Sequence, residues 1–235
     1  MKTDKTKTPS QQWNDQHAAL RRLLMHDRDY EQAIAVFFDH HAAVHTAKLQ
    51  AGAHWSFQDQ VLSGLTDEQM RAVPKGCAHS VAWKLWHVTR IEDVTMNLLL
   101  AGSPQVLTRG NWLDKLETDC VTVGNEMSDQ DIAELSQALN VKALLAYRLA
   151  VGKRTRSVVP HLKTAELGRL AAPERLKRIV EEGAVVDKVA WLVEYWGGNP
   201  SANLLLMPAT RHGFVHLNEV GRMLPKLRRL QTDVV

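Results

Sequence analysis

The chain has 235 residues, 45% of them hydrophobic, and a formal net charge of +3. That length and apolar fraction allow one sizeable buried core, and interspersed charges of both signs give no case for a nucleic-acid partner or a membrane surface. No apolar run approaches a membrane span, the N-terminus lacks the hydrophobic segment of a signal peptide, and two isolated cysteines, Cys77 and Cys120, predict reduced thiols in a cytoplasmic protein.

Residues 1–10 carry no apolar period and are expected to form a disordered arm, with residues 11–235 folding as a single domain. A short helix is predicted over 11–26 from Trp13, Leu20, Leu23 and Leu24. A stronger one follows over 29–49, where Ile34, Phe38, His41, His45 and Leu49 form one stripe. Residues 54–70 read as one or two short helices, with Thr66 and Gln69 in capping-box register. Ser80 is a suitable N-cap for a second long helix running to about Ala101 and stopped by Gly102.

Between 106 and 126 a short helix is expected around Trp112–Glu117. Ser128 and Asp131 mark another start, and a third long helix is predicted over 141–159, with Leu144, Leu145, Leu149 and Val158 inward and Pro160 at its end. Two short helices are expected over 164–183 and another over 185–196. A last long helix opens at Pro208 and reaches about Arg229. Nothing alternates with the period of a strand, so the fold class is all-α, and four long helices with short helical insertions point to a bundle.

The chemistry concentrates in histidine, of which there are 11. His212 and His216 lie four residues apart, which stacks both rings on one helix face, and Val220, Met223 and Leu227 continue that face. His87 shares an inward face with Trp83, Ile91, Val94 and Leu98 on the second long helix. A buried imidazole needs a hydrogen-bond partner or a metal. One such histidine reads as a bonded core residue, whereas three on two helices read as ligands of one divalent ion. His41 and His45 form a second pair at the same spacing. They are candidates for a further ligand or a substrate contact, or alternatively a hydrogen-bonded polar layer, while His40 is expected at the surface. Glu219 is a candidate acceptor behind the ligands, or an ordinary ion-pair partner of Arg90 or Arg222. Tyr147 and Arg148 could face a substrate, with Tyr147 as plain core filler the simpler reading.

The dinuclear Glu-x-x-His pattern is missing, as are H-E-x-x-H, G-x-S-x-G, a phosphate loop and the dinucleotide fingerprint. Mononuclear metal chemistry with neutral ligands remains. Such an ion keeps its full charge and an open position, and so favours a thiolate or hydroxide near neutral pH. Imidazole suits zinc, nickel, iron and copper alike.

The segments W-K-L-W-H-V-T-R-I-E-D and R-H-G-F-V-H-L-N-E resemble the DinB-like (damage-inducible B, DinB/YfiT-like) metal-binding proteins. The resemblance implies an up-down four-helix bundle with a long crossover over about 29–229. It also implies one divalent ion, zinc or nickel foremost and then iron or manganese, on His87, His212 and His216. Members with assigned activities are thiol-dependent S-transferases and maleylpyruvate isomerases, so a small-molecule substrate, a low-molecular-weight thiol and a homodimer are implied as well. The extra N-terminal helix, the long insertion before the last helix and the His-rich first helix depart from the compact pattern. The expected function is therefore a metal-dependent enzyme activating a thiol or water, with a non-catalytic metal-binding or stress-related dimeric protein as the alternative. A bundle whose histidines satisfy one another without metal stays open as a third reading.

Overall fold

Side chains that accept from free backbone N–H groups fix where the helices begin. In the computed structural model, which describes residues 7–24, 26, 29–52 and 55–230, Thr66 accepts from Gln69 N, Ser80 from Trp83 N and Ser128 from Asp131 N. Of the expected N-terminal arm, residues 1–6 lie outside the described residues, and Thr8 already caps the first helix. The elements are α1 (Pro9–Leu23), α2 (Tyr30–Val44), α3 (Phe57–Leu62), α4 (Asp67–Arg71), α5 (Val81–Asp93), α6 (Trp112–Leu116), α7 (Asp129–Ala138), α8 (Val141–Val158), α9 (Thr164–Leu167), α10 (Pro173–Glu181), α11 (Trp191–Gly197), α12 (Ser201–Leu206) and α13 (His212–Arg229). The described residues contain no strand, only an isolated bridge between Leu170 and Pro200. The chain is all-α. No described helix is long and apolar enough to cross a membrane.

Three long helices depart from their expected course. The stripe through Leu49 breaks, because α2 stops at Val44 and His45 leaves helical geometry at φ −105° and ψ −140°. Tertiary contacts hold that end: Arg148 Nη2 donates to the Val44 carbonyl at 2.7 Å, and the Ser56 hydroxyl donates to that of His45. The second long helix widens into π geometry over Val94–Ala101 and ends at Gly102 in the left-handed region. The last does the same over Met207–Arg211, so Pro208 sits inside a wide turn between α12 and α13 instead of opening the helix.

Two apolar clusters share these helices. One gathers Phe37, Val94, Leu98, Val158, Trp196 and Leu204. The other gathers Trp86, Val44, Leu144, Val151, Phe214 and Val220. Along each long helix, buried polar residues fall where the chain passes from one cluster to the other: His40 and His41 on α2, His87, Arg90, Glu92 and Asp93 on α5, Thr155 on α8, and Thr210 just before α13. Helix α5 packs on α8, α13 and the wide turn before α13, and all of its residues are buried.

His40 belongs to this layer and not to the surface, where it was expected; it is fully buried and stacked on Trp13 at 3.8 Å between ring centroids. Neither ring nitrogen has a partner among the described residues. Burial, helped by the facing His17, lowers its pKa to about 2. The folded state therefore keeps the ring neutral while the unfolded chain takes a proton below its ordinary value of 6.5. The resulting stability is full above that value and falls by about 1.4 kcal/mol per pH unit as the solution is acidified. We expect His40→Leu, compared with its own stability at pH 8, to lose about 2 kcal/mol less than the wild type by pH 5 in urea titrations. Parallel pH profiles for the two proteins would contradict this.

Candidate metal centre

His87 is built into α5 with its ring stacked on Trp83, 4.8 Å away and 11° from parallel. Its Nδ1–H donates to the Val123 carbonyl at 2.6 Å. That carbonyl is held in place because Val123 N donates to Ala184 O at 2.9 Å. The next residue, Gly124, has φ +86°, and a β-carbon there would lie 3.4 Å from the Trp83 ring, so the loop follows this path most readily with glycine. The bond to Val123 fixes the tautomer, leaving Nε2 as a lone pair directed away from the loop.

The other two rings come from the first turns of α13. His212, His216 and His87 stand edge-on to one another, with centroids 4.9 Å (87–212), 5.2 Å (87–216) and 4.7 Å (212–216) apart. One ring nitrogen from each lies within 4.8 Å of the others. His216 gives its Nδ1–H to Glu219 at 2.9 Å, so its Nε2 faces His212 Nε2, 3.2 Å away. Two nitrogens that each sit 2.0–2.1 Å from a tetrahedral ion are separated by roughly 3.3–3.4 Å. The observed spacing therefore suits two ligands of one cation. Burial is the main cause lowering all three pKa values, to about 3 for His87 and well below the usual range for His212. All three rings are neutral at pH 7, the form that binds a metal.

Glu219 supports this arrangement from behind. Besides the proton from His216 it accepts one from Lys84 Nζ at 2.5 Å, and Lys84 sits on α5 one turn before His87. Burial raises the Glu219 carboxyl, but the Lys84 hydrogen bond and His216 outweigh it, and it stays below the usual carboxylate value. The ion-pair partner is thus Lys84 and neither Arg90 nor Arg222. Carboxylates behind ligand histidines fix ring orientation and basicity. We expect Glu219→Gln to weaken metal affinity by about 10–100-fold, measured by competition with a chelator of known affinity. An unchanged affinity would leave Glu219 with its ion pair to the buried Lys84 and nothing more. His216 and Glu219 also line an open cleft of about 450 Å³ with Cys77, His79, Arg222 and Lys226.

His41 and His45 are not brought to this triad. They converge on Glu92, which receives His41 Nε2 at 2.8 Å, His45 Nε2 at 2.7 Å and the Thr155 hydroxyl at 2.6 Å. These three form a second group that could hold a metal by proximity. Its nitrogen–oxygen spacings are those of charge-assisted hydrogen bonds. Burial alone would raise the Glu92 carboxyl, but His45 and His41 hold it well below the usual range. Burial takes His45 down to about 3 against the pull of Glu92. A β-carbon on Gly152 would stand 2.9 Å from His45 Nδ1, so glycine gives His45 its room on α8.

Tyr147 and Arg148 also turn inward. The Tyr147 hydroxyl donates to Asp93 at 2.6 Å, and Arg90 bridges Asp93, Gln105 and the Val121 carbonyl. Arg148 serves the end of α2 and also bonds Gln58 and Thr89. Tyr147 is therefore more than core filler, and the Arg148 guanidinium is buried and bonded within the chain. Lys84 and the Val123 carbonyl were not singled out from sequence, and Glu92, five residues after His87, was given no role there. The available signal was that Lys84 and Glu92 interrupt a helix otherwise rich in Trp, Leu and Val.

Residues 50–186, more than half of the chain, match the family described as the DinB superfamily; His87 lies inside the match, and His212 and His216 follow it. No curated protein matches the chain.

Proposed function

This chain belongs to the DinB superfamily, and on that premise we propose that it holds one divalent metal ion at His87, His212 and His216 and works as a metal-dependent enzyme on a small molecule. The observation that carries the site is the convergence of three neutral imidazoles, two with their Nδ1–H already committed to Val123 and Glu219. Zinc and nickel are the ions we expect first, with the imidazoles themselves suiting zinc, nickel, iron and copper alike. When bound, such an ion supplies the Lewis acidity that makes a thiol or a water nucleophilic near neutral pH. The chain's own residues do the rest. Glu219 keeps the proton of His216 on Nδ1, Lys84 keeps Glu219 ionised, and Trp83 and the Val123 carbonyl hold the His87 ring in orientation. The cleft beside His216 gives a small thiol access to the triad.

We read the long helices α2, α5, α8 and α13 as an up-down four-helix bundle with a long crossover, within one domain over 11–235. Their mutual packing supports this reading. A homodimer in the cytoplasm fits the family and the two free cysteines. The test of function is turnover of a panel of electrophiles with low-molecular-weight thiols or water, before and after chelation, in wild type and His212→Ala. Turnover that disappears in the variant and on chelation supports an S-transferase-like enzyme. A fully loaded protein inert across the panel would instead favour a binding or stress-related role.

A further inference from the structure

The triad borders two spaces of opposite character. The cleft beside His216 carries Lys84, Arg222 and Lys226. A second cavity, of about 240 Å³, has His212 in its wall and is otherwise mainly apolar and aromatic: Ile91, Trp191, Tyr195, Met207 and Pro208. The two sets of lining residues share no member. Ile91 is one turn beyond His87 on α5, and His212 stands 4.9 Å from His87. A group seated in this cavity therefore lies against the triad.

Several features distinguish this cavity from a packing gap. Trp191 and Tyr195, one turn apart on α11, are 55% and 43% exposed beside this cavity, and neighbouring exposed apolar surface of this kind marks ligand grooves or interfaces. Met207 and Pro208 reach its wall because the chain runs in π geometry there, a local form that recurs at functional sites. Its size is also selective, since an apolar cavity of about 150 Å³ suffices for benzene. This one takes one ring or a fused pair, and it is below the 300–1,000 Å³ that is usual for drug-sized ligands.

We propose that the cavity formed by Trp191, Tyr195, Met207, Pro208 and Ile91 is the specificity pocket for an aromatic, ring-bearing substrate whose reacting atom is presented to the triad, while polar or anionic reactants use the cleft beside His216. This rests on the enzymatic reading above, but the pocket can be tested without turnover.

The probe is 2-naphthol, titrated into protein carrying [¹³C-methyl]methionine, both chelator-treated and zinc-loaded. The expected result is a saturable shift of the Met207 methyl at millimolar probe or below, with Met223 in the other cleft unmoved. Trp191→Ala and Tyr195→Ala should each weaken binding about tenfold or more, and Arg222→Ala should leave it unchanged. Trp191 and Tyr195 are exposed enough for their variants to fold, which circular dichroism would verify. Shifts at Met223 in place of Met207, no saturation, or equal affinity in all variants would overturn the pocket. So would sedimentation showing a wild-type dimer that Trp191→Ala dissociates, because a second copy would then cover the mouth. Metal content is measured on the same samples. Naphthol binding without metal uptake would defeat the metal reading alone, and metal uptake without naphthol binding would defeat the pocket alone.

Discussion

His87→Ala is expected to purify with less than a tenth of the metal carried by the wild type, and to bind added zinc at least 100-fold more weakly. The bound follows from the usual cost of disturbing residues behind metal ligands, about 10–100-fold, since removing a ligand itself must cost more. Only this imidazole comes from α5, and without it the remaining pair, His212 and His216, sits on one helix with nothing opposite. The substitution also leaves the Val123 carbonyl without its donor, a loss of about 1–3 kcal/mol in a buried setting. Because α13 and α8 still enclose α5, the variant should remain helical. Elemental analysis of untagged protein together with far-ultraviolet circular dichroism measures both effects. A helical variant with full metal content would remove His87 from the site.

The second large effect concerns stability. Glu92 is buried and accepts hydrogen bonds from three side chains, His41 on α2, His45 just past its end and Thr155 on α8. Glu92→Ala leaves two imidazole N–H groups and a hydroxyl without acceptors in the interior. Breaking a buried charged network in this way costs about 3–5 kcal/mol, a large part of the 5–15 kcal/mol that ordinarily holds a domain folded. Urea denaturation should show that loss. The same protein distinguishes the two histidine groups: bound zinc should stay at one ion per folded chain, since the triad is untouched. A fall from two ions to one would mean that His41, His45 and Glu92 form a metal site as well.

The triad was readable because both of its helices keep one apolar stripe and the histidines fall on it. With Val220, Met223 and Leu227 buried on one face of α13, His212 and His216 fall at the start of that face and are half-buried where it meets His87. Glu92 was not readable, because Glu-Asp in the middle of a helix ordinarily marks a solvated face. Helix α5 has no such face: every residue is buried, so periodicity carries no information about which polar side chain meets which neighbour. His45 misled for the opposite reason. It prolongs the α2 stripe in sequence, but bonds from Ser56 and Arg148, far along the chain, set the real end of that helix. His40 looked like surface only because Trp13, its cover, comes from an N-terminal helix whose docking no local pattern announces.

The wide turn at Met207–Arg211 governs angular phase. Each residue in an α-helix advances about 100° around the axis, and a π turn absorbs one extra residue without advancing the axis by a full step. Closing this segment into ordinary helix with all of its residues kept would leave one residue over and twist Leu204 and Leu205 by about 100° relative to His212. Either those leucines would leave the apolar interior or the imidazoles would swing off their common point. Deleting Ala209 as the turn closes removes the surplus residue and keeps the phase, so an inserted residue should be tolerated less well here than a single-codon deletion.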